Sequence, residues 1–78
     1  MAQYKYREHL MQTSIAAFDT RHAPGTTAEN AGIYRCAGCG DEIAIVKGQK
    51  LPPLSRHQHE PGQRKVEWQL LVFAEKRK

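Results

Sequence analysis

Residues 33–40 read Ile33-Tyr34-Arg35-Cys36-Ala37-Gly38-Cys39-Gly40, and this stretch holds both cysteines of the 78-residue chain. A C-x-x-C turn sets two sulfurs on one side of a tight loop. Gly38 and Gly40 lack a Cβ, which frees the backbone for positive φ and brings N–H groups toward the thiolates. A tetrahedral metal needs four ligands, and nothing adjacent supplies the other two. In the zinc-site spacing C-x2-C-x15–20-C-x2-C, the second ligand pair falls about 15 to 20 residues further on. At that distance stands His57-Gln58-His59, so the composite spacing is C-x2-C-x17-H-x-H. In an extended segment His57 and His59 point to the same side and can reach one ion. Cys36, Cys39, His57 and His59 are therefore the candidate metal ligands. His22, in the loop ahead of the cysteines, is the fallback, and His9 reads as a surface residue.

Two other readings of the pair compete with metal. Redox C-x-x-C pairs open a helix in a β-α-β setting, where the cysteine pKa falls; here a glycine and a β-branched segment follow instead. Two inert thiols packed in a core are the third reading, with both histidines facing solvent.

Around this turn the pattern is that of short strands. Ile33–Cys36 runs into the turn, and Glu42-Ile43-Ala44-Ile45-Val46 runs out of it, so Cys-Ala-Gly-Cys-Gly is a hairpin connection. Leu51-Pro52-Pro53-Leu54 is excluded from a central strand, because proline has no N–H to donate. Residues 55–65 form a polar loop. Val66–Phe73 is the clearest strand, with Val66, Trp68, Leu70 and Val72 on one face and Trp68 as a core residue. The prediction is a small, mainly-β fold: a three-stranded antiparallel sheet over residues 32 to 73.

Ahead of it, Leu10, Met11, Ile15 and Phe18 recur at helical spacing, which predicts a helix within Tyr4–Thr20 that forms only if it docks. Arg21–Gly32, rich in Pro, Gly, Thr and Asn, reads as a linker or irregular loop. The organisation is thus an N-terminal arm, residues 1–23, with a helix as its candidate element, and a β domain, residues 24–78, with a basic tail.

Length bounds what such a chain can do. A domain of this size buries roughly 60% of its unfolded surface and tends to need a disulfide or a structural metal. The net charge is +4, with four bases and three acids in residues 1–39 against eight and five in 40–78. That excess permits weak nucleic-acid contact, through Lys47, Lys50, Arg56, Arg64 and Lys65, without indicating it. The first fifteen residues contain no secretory apolar core, and no apolar run approaches the ~20 residues that cross a bilayer. A C-x-x-C pair without a signal peptide points to a reducing cytoplasm.

The stretches PGTTAENAGIYRCAGCGDEI, LPPLSRHQH and VEWQLLV together resemble a group of small bacterial zinc-ribbon-like proteins with a rubredoxin-like knuckle. The shared pattern is a Pro-Gly loop, a Gly-x-Tyr-x-Cys-x-x-Cys-Gly knuckle, a Pro-Pro before the second knuckle and a final aromatic strand. It covers residues 24 to 73 and implies a ribbon fold and a zinc ion. One departure stands out: the first ligand position of the second knuckle is Leu54, which binds no metal. Either the histidines replace that knuckle or the site is a bare sulfur pair.

The expected function is a small zinc-binding accessory or interaction module, not an enzyme, since no carboxylate pair, serine elbow or phosphate-cradling loop is present. The alternatives are a weak nucleic-acid-binding ribbon and a thiol redox protein. A protein partner, or self-association along the last strand through Leu71 and Phe73, is the other partner class.

Overall fold

Four short strands pair into one antiparallel sheet: β1 (Arg21–His22), β2 (Gly32–Cys36), β3 (Glu42–Ile45) and β4 (Trp68–Phe73), in the spatial order β1-β4-β2-β3. The computed structural model describes residues 1–54, 57–59 and 65–75. The three expected strands form, and the expectation of a three-stranded sheet is corrected by β1. This edge strand comes from the stretch read as arm and linker, and it pairs Arg21 with Gln69 and His22 with Trp68. Two residues are too few to show a period of two, so composition conceals it.

The expected linker is ordered for a related reason. Backbone bonds from Gly25 N–H to the Leu51 carbonyl (3.1 Å), Leu51 N–H to Thr26 (2.8 Å) and Ala28 N–H to Gln49 (2.8 Å) fasten it to the turn after β3. Thr27 and Lys50 form an isolated antiparallel bridge there. Main-chain pairing of this kind leaves no signature in side-chain hydropathy.

β2 is the centre of the molecule. Its pleat turns Tyr34 and Cys36 to the buried side and Arg35 to the exposed side. Across β4, Tyr34 faces Leu70 and Cys36 faces Trp68; across β3, Tyr34 faces Ile43. Tyr34, Cys36, Leu51 and Trp68 are all but sealed from solvent. With Ala28, Ile45, Val66 and Leu70 they form the core, eight buried residues among those described. Both internal polar atoms of the large core rings are satisfied: Tyr34 O–H donates to the Asn30 carbonyl (2.8 Å), and Trp68 Nε1–H to that of Pro52 (3.3 Å).

The β2–β4 register shifts between Ile33 and Tyr34: Tyr34 pairs with Leu70, but Ile33 pairs with Val72. Leu71 is the extra residue of this bulge. Val72 is thereby moved to the face of Ile33 and Arg35, away from Trp68 and Leu70, which corrects the expected alternation along the last strand. Gly32 sits beside the bulge at φ 153°, and a Cβ there would run into the Val72 carbonyl oxygen. The close approach of β2 to β4 therefore requires glycine at this position.

No α-helix forms among the described residues. In place of the expected helix, the arm has two single 3₁₀ turns, Arg7–His9 and Ala16–Phe18, joined by extended backbone at Leu10 and Ile15. Thr13 and Ser14 interrupt the apolar run, and neither turn has a side-chain cap. Phe18 packs against the core, and its carbonyl accepts a 2.6 Å bond from Gln69 Nε2. Leu10, Met11 and Ile15 stay exposed. The arm's first residues and Leu10 pass over the outer face of the sheet, leaving a cavity of about 340 Å³ against Ile33, Arg35, Leu71 and Val72. No described helix is long and apolar enough to cross a membrane.

Candidate metal centre

The turn between β2 and β3 is closed by two backbone bonds: Cys36 N–H to the Asp41 carbonyl and Gly40 N–H to the Cys36 carbonyl, both 2.8 Å. A third, from Ala37 N–H to the Glu67 carbonyl (2.8 Å), ties it to the start of β4. Gly40 takes φ +83°, the left-handed conformation that lets the chain turn back into β3. Cys36 ends β2 on the buried face, whereas Cys39 is exposed at the tip; both are free thiols.

The histidine segment comes to this turn from the far side of Pro52-Pro53, with His57 N–H bonded to the Pro53 carbonyl at 3.0 Å. Cys36 Sγ lies 3.4 Å from His59 Nε2, Cys39 Sγ lies 3.4 Å from His57 Nε2, and the two Nε2 atoms are 3.2 Å apart. All four donor atoms fall within 4.8 Å of one another. Zinc bonds to sulfur near 2.3 Å and to nitrogen near 2.05 Å give tetrahedral edges of about 3.5 Å for S···N and about 3.3 Å for N···N. Three edges of the cluster have those lengths, so the residues present fit a tetrahedral ion.

What surrounds the donors also fits. His57 packs on Trp68, with ring centroids 4.8 Å apart, and its Nδ1 is 3.6 Å from Asp41 Oδ2. A carboxylate behind the distal ring nitrogen is the usual outer partner of a metal-bound imidazole. Burial pushes the Cys36 thiol up, but backbone hydrogen bonds at Cys39 and Gly38, the His57 side chain and the Glu67 backbone outweigh it and bring the pKa down to about 6. Partial desolvation raises the Cys39 thiol; an Asp41 backbone bond offsets some of this, and the Cys36 sulfur and Asp41 charge raise it further. Two thiolates this close resist ionising together, and a dication between them removes that penalty.

The structure thus brings Cys36, Cys39, His57 and His59 together and leaves two other histidines elsewhere. His22, the fallback ligand, stands in β1 with its ring edge-on to Tyr34 at 6.2 Å. His9 is exposed and edges onto Tyr6 at 6.0 Å. Leu54 is exposed. Lys47, Lys50 and Lys65 are exposed, while Arg56 and Arg64 lie outside the described residues, as does the end of the basic tail. Sequence reasoning missed Asp41 and the backing role of Trp68. Asp41 follows the Cys-x-x-Cys-Gly turn directly, which was signal enough; Trp68 reaches His57 only through the β2–β4 register.

Fold and site together define a small β protein, with a four-stranded sheet among its described residues and a Cys2His2 group able to hold a metal ion. The chain is 42% identical over 76 residues to Protein L of Escherichia coli, across 92% of this chain and 86% of that protein, and it belongs to that protein's family. An uncharacterised protein of Mycobacterium tuberculosis is 41% identical over 44 residues, 56% of this chain and 40% of its own length. No family model and no solved structure matches the chain.

Proposed function

We propose that the chain is a zinc-ribbon-like accessory or interaction module, with zinc held by Cys36, Cys39, His57 and His59 as a structural ion. The observation that carries this reading is the convergence of two sulfurs and two Nε2 atoms within 4.8 Å, drawn from two segments 18 residues apart. Paired thiolates and imidazoles favour zinc among the divalent ions, over the carboxylate- and water-loving ones. Four protein donors fill a tetrahedron and leave no position for a reacting water, so the ion's work is cohesion and not catalysis. Structural zinc contributes on the order of 10 kcal/mol to folding, as much as the whole stability of many domains. A core of eight described residues needs such a contribution. We assign the protein to the cytoplasm, where free thiols stay reduced and available to metal.

The test is native mass spectrometry of protein purified without added metal, before and after chelation. The reading expects one zinc ion per chain, and loss of the ion together with unfolding. Apoprotein that is already folded would overturn it.

A further inference from the structure

We propose that Cys39 is a modification site for peroxides, and that its oxidation releases the metal by closing a Cys36–Cys39 disulfide. This inference rests on the zinc reading above. The two sulfurs of the site are not equivalent. Cys36 is completely buried at the end of β2, where it faces Trp68 across the sheet and has His59 Nε2 at 3.4 Å. Cys39 projects from the tip of the turn and is exposed. A small oxidant from solvent therefore meets one thiolate and not the other.

The resolving partner is already in place. The chain has no third cysteine, and the Cys36 and Cys39 sulfurs lie within 4.8 Å of each other. Closing that gap to a disulfide of about 2.0 Å is a local movement within one turn. The exposed Cys39 thiolate attacks one oxygen of hydrogen peroxide. The O–O bond breaks, hydroxide leaves, and the sulfur becomes a sulfenic acid. The Cys36 thiolate then attacks the Cys39 sulfur; the S–S bond forms and a second hydroxide leaves. Each sulfur has given up one electron, peroxide has accepted two, and both anionic donors are gone. His57 and His59 alone are a weak grip on a divalent ion, so it departs.

The same asymmetry gives the fold a reason to respond. The turn that carries Cys39 is bonded to β3 through Asp41 and to the start of β4 through Glu67. Loss of the ion frees His57, whose ring lies against the chain's single tryptophan, Trp68.

The experiment uses the zinc-loaded full chain, treated with hydrogen peroxide while a chromogenic chelator reads free zinc and mass spectrometry reads the cysteines. The expected result is one zinc ion released per chain, in step with a product two hydrogens lighter than the reduced apoprotein and mapped to a Cys36–Cys39 link. Thiol reductant with added zinc should reverse it. Brief iodoacetamide treatment of the untreated zinc form should label Cys39 ahead of Cys36. Zinc retained with both thiols intact, Cys36 modified first, or Cys39 driven to the sulfinic acid with no disulfide would each overturn the proposal while leaving the metal site standing. A chain that carries no zinc before peroxide is added would instead overturn the zinc reading beneath it.

Discussion

The β2–β3 hairpin and the N-terminal arm are both short segments bearing large apolar side chains, and they end in opposite states. In the hairpin, Tyr34, Cys36 and Ile45 are buried against partners on β4 and in the loop at Leu51. In the arm, Leu10, Met11 and Ile15 remain in solvent, and only Ala17 and Phe18 reach the core. The difference lies in what each segment can bond to. The hairpin satisfies its own backbone and presents a pleated face; its turn also gathers donors for an ion. The arm's exposed backbone bonds to water instead, and an isolated helix of that length is marginal without a surface to dock on. Hydrophobic spacing supplies a face, and only a partner turns a face into structure.

The largest effect should come from the hairpin side. Cys36→Ser removes a sulfur donor of the proposed zinc site and places a hydroxyl in its most enclosed position, so the protein is expected to lose cooperative thermal unfolding whether or not zinc is supplied. The share at stake is on the order of 10 kcal/mol. Gly32→Ala comes next. Its Cβ meets the Val72 carbonyl, forcing β2 from β4 at a cost of about 2 kcal/mol, read as a lowered denaturation midpoint with zinc present throughout. Asp41→Asn leaves all four donors in place; it weakens the support behind His57 and, by removing a negative charge beside Cys39, offsets part of that loss by easing the thiol's ionisation. A competition assay should show zinc affinity falling about tenfold, with the folded spectrum of the zinc form unchanged. The smallest effect belongs to the arm: Met11→Ser should shift stability by no more than about 0.5 kcal/mol, because the side chain touches little. A large loss from Met11→Ser, or a mild one from Gly32→Ala, would break the contrast between the two regions.

The sequence was informative where the physics is local. The Cys36 and Cys39 pair, the hairpin it closes and the strand around Trp68 follow from spacing and alternation over a few residues. The histidine pair was legible as a donor set because its distance from the cysteines suits a second ligand turn. Features that depend on main-chain pairing were hidden: β1, the Thr27–Lys50 bridge, and the bulge at Leu71 that moves Val72 to the other face. The helix expected in the arm failed because its apolar spacing is broken by Thr13 and Ser14, its turns lack side-chain caps, and Leu10, Met11 and Ile15 stay exposed.

The most direct measurement is X-ray absorption at the zinc edge of protein loaded with one equivalent of metal. The expected first shell is two sulfurs at about 2.3 Å and two imidazole nitrogens at about 2.05 Å, with no water. A shell of nitrogen and oxygen alone, or one in which solvent replaces the imidazoles, would contradict the assignment of Cys36, Cys39, His57 and His59 to a single closed site.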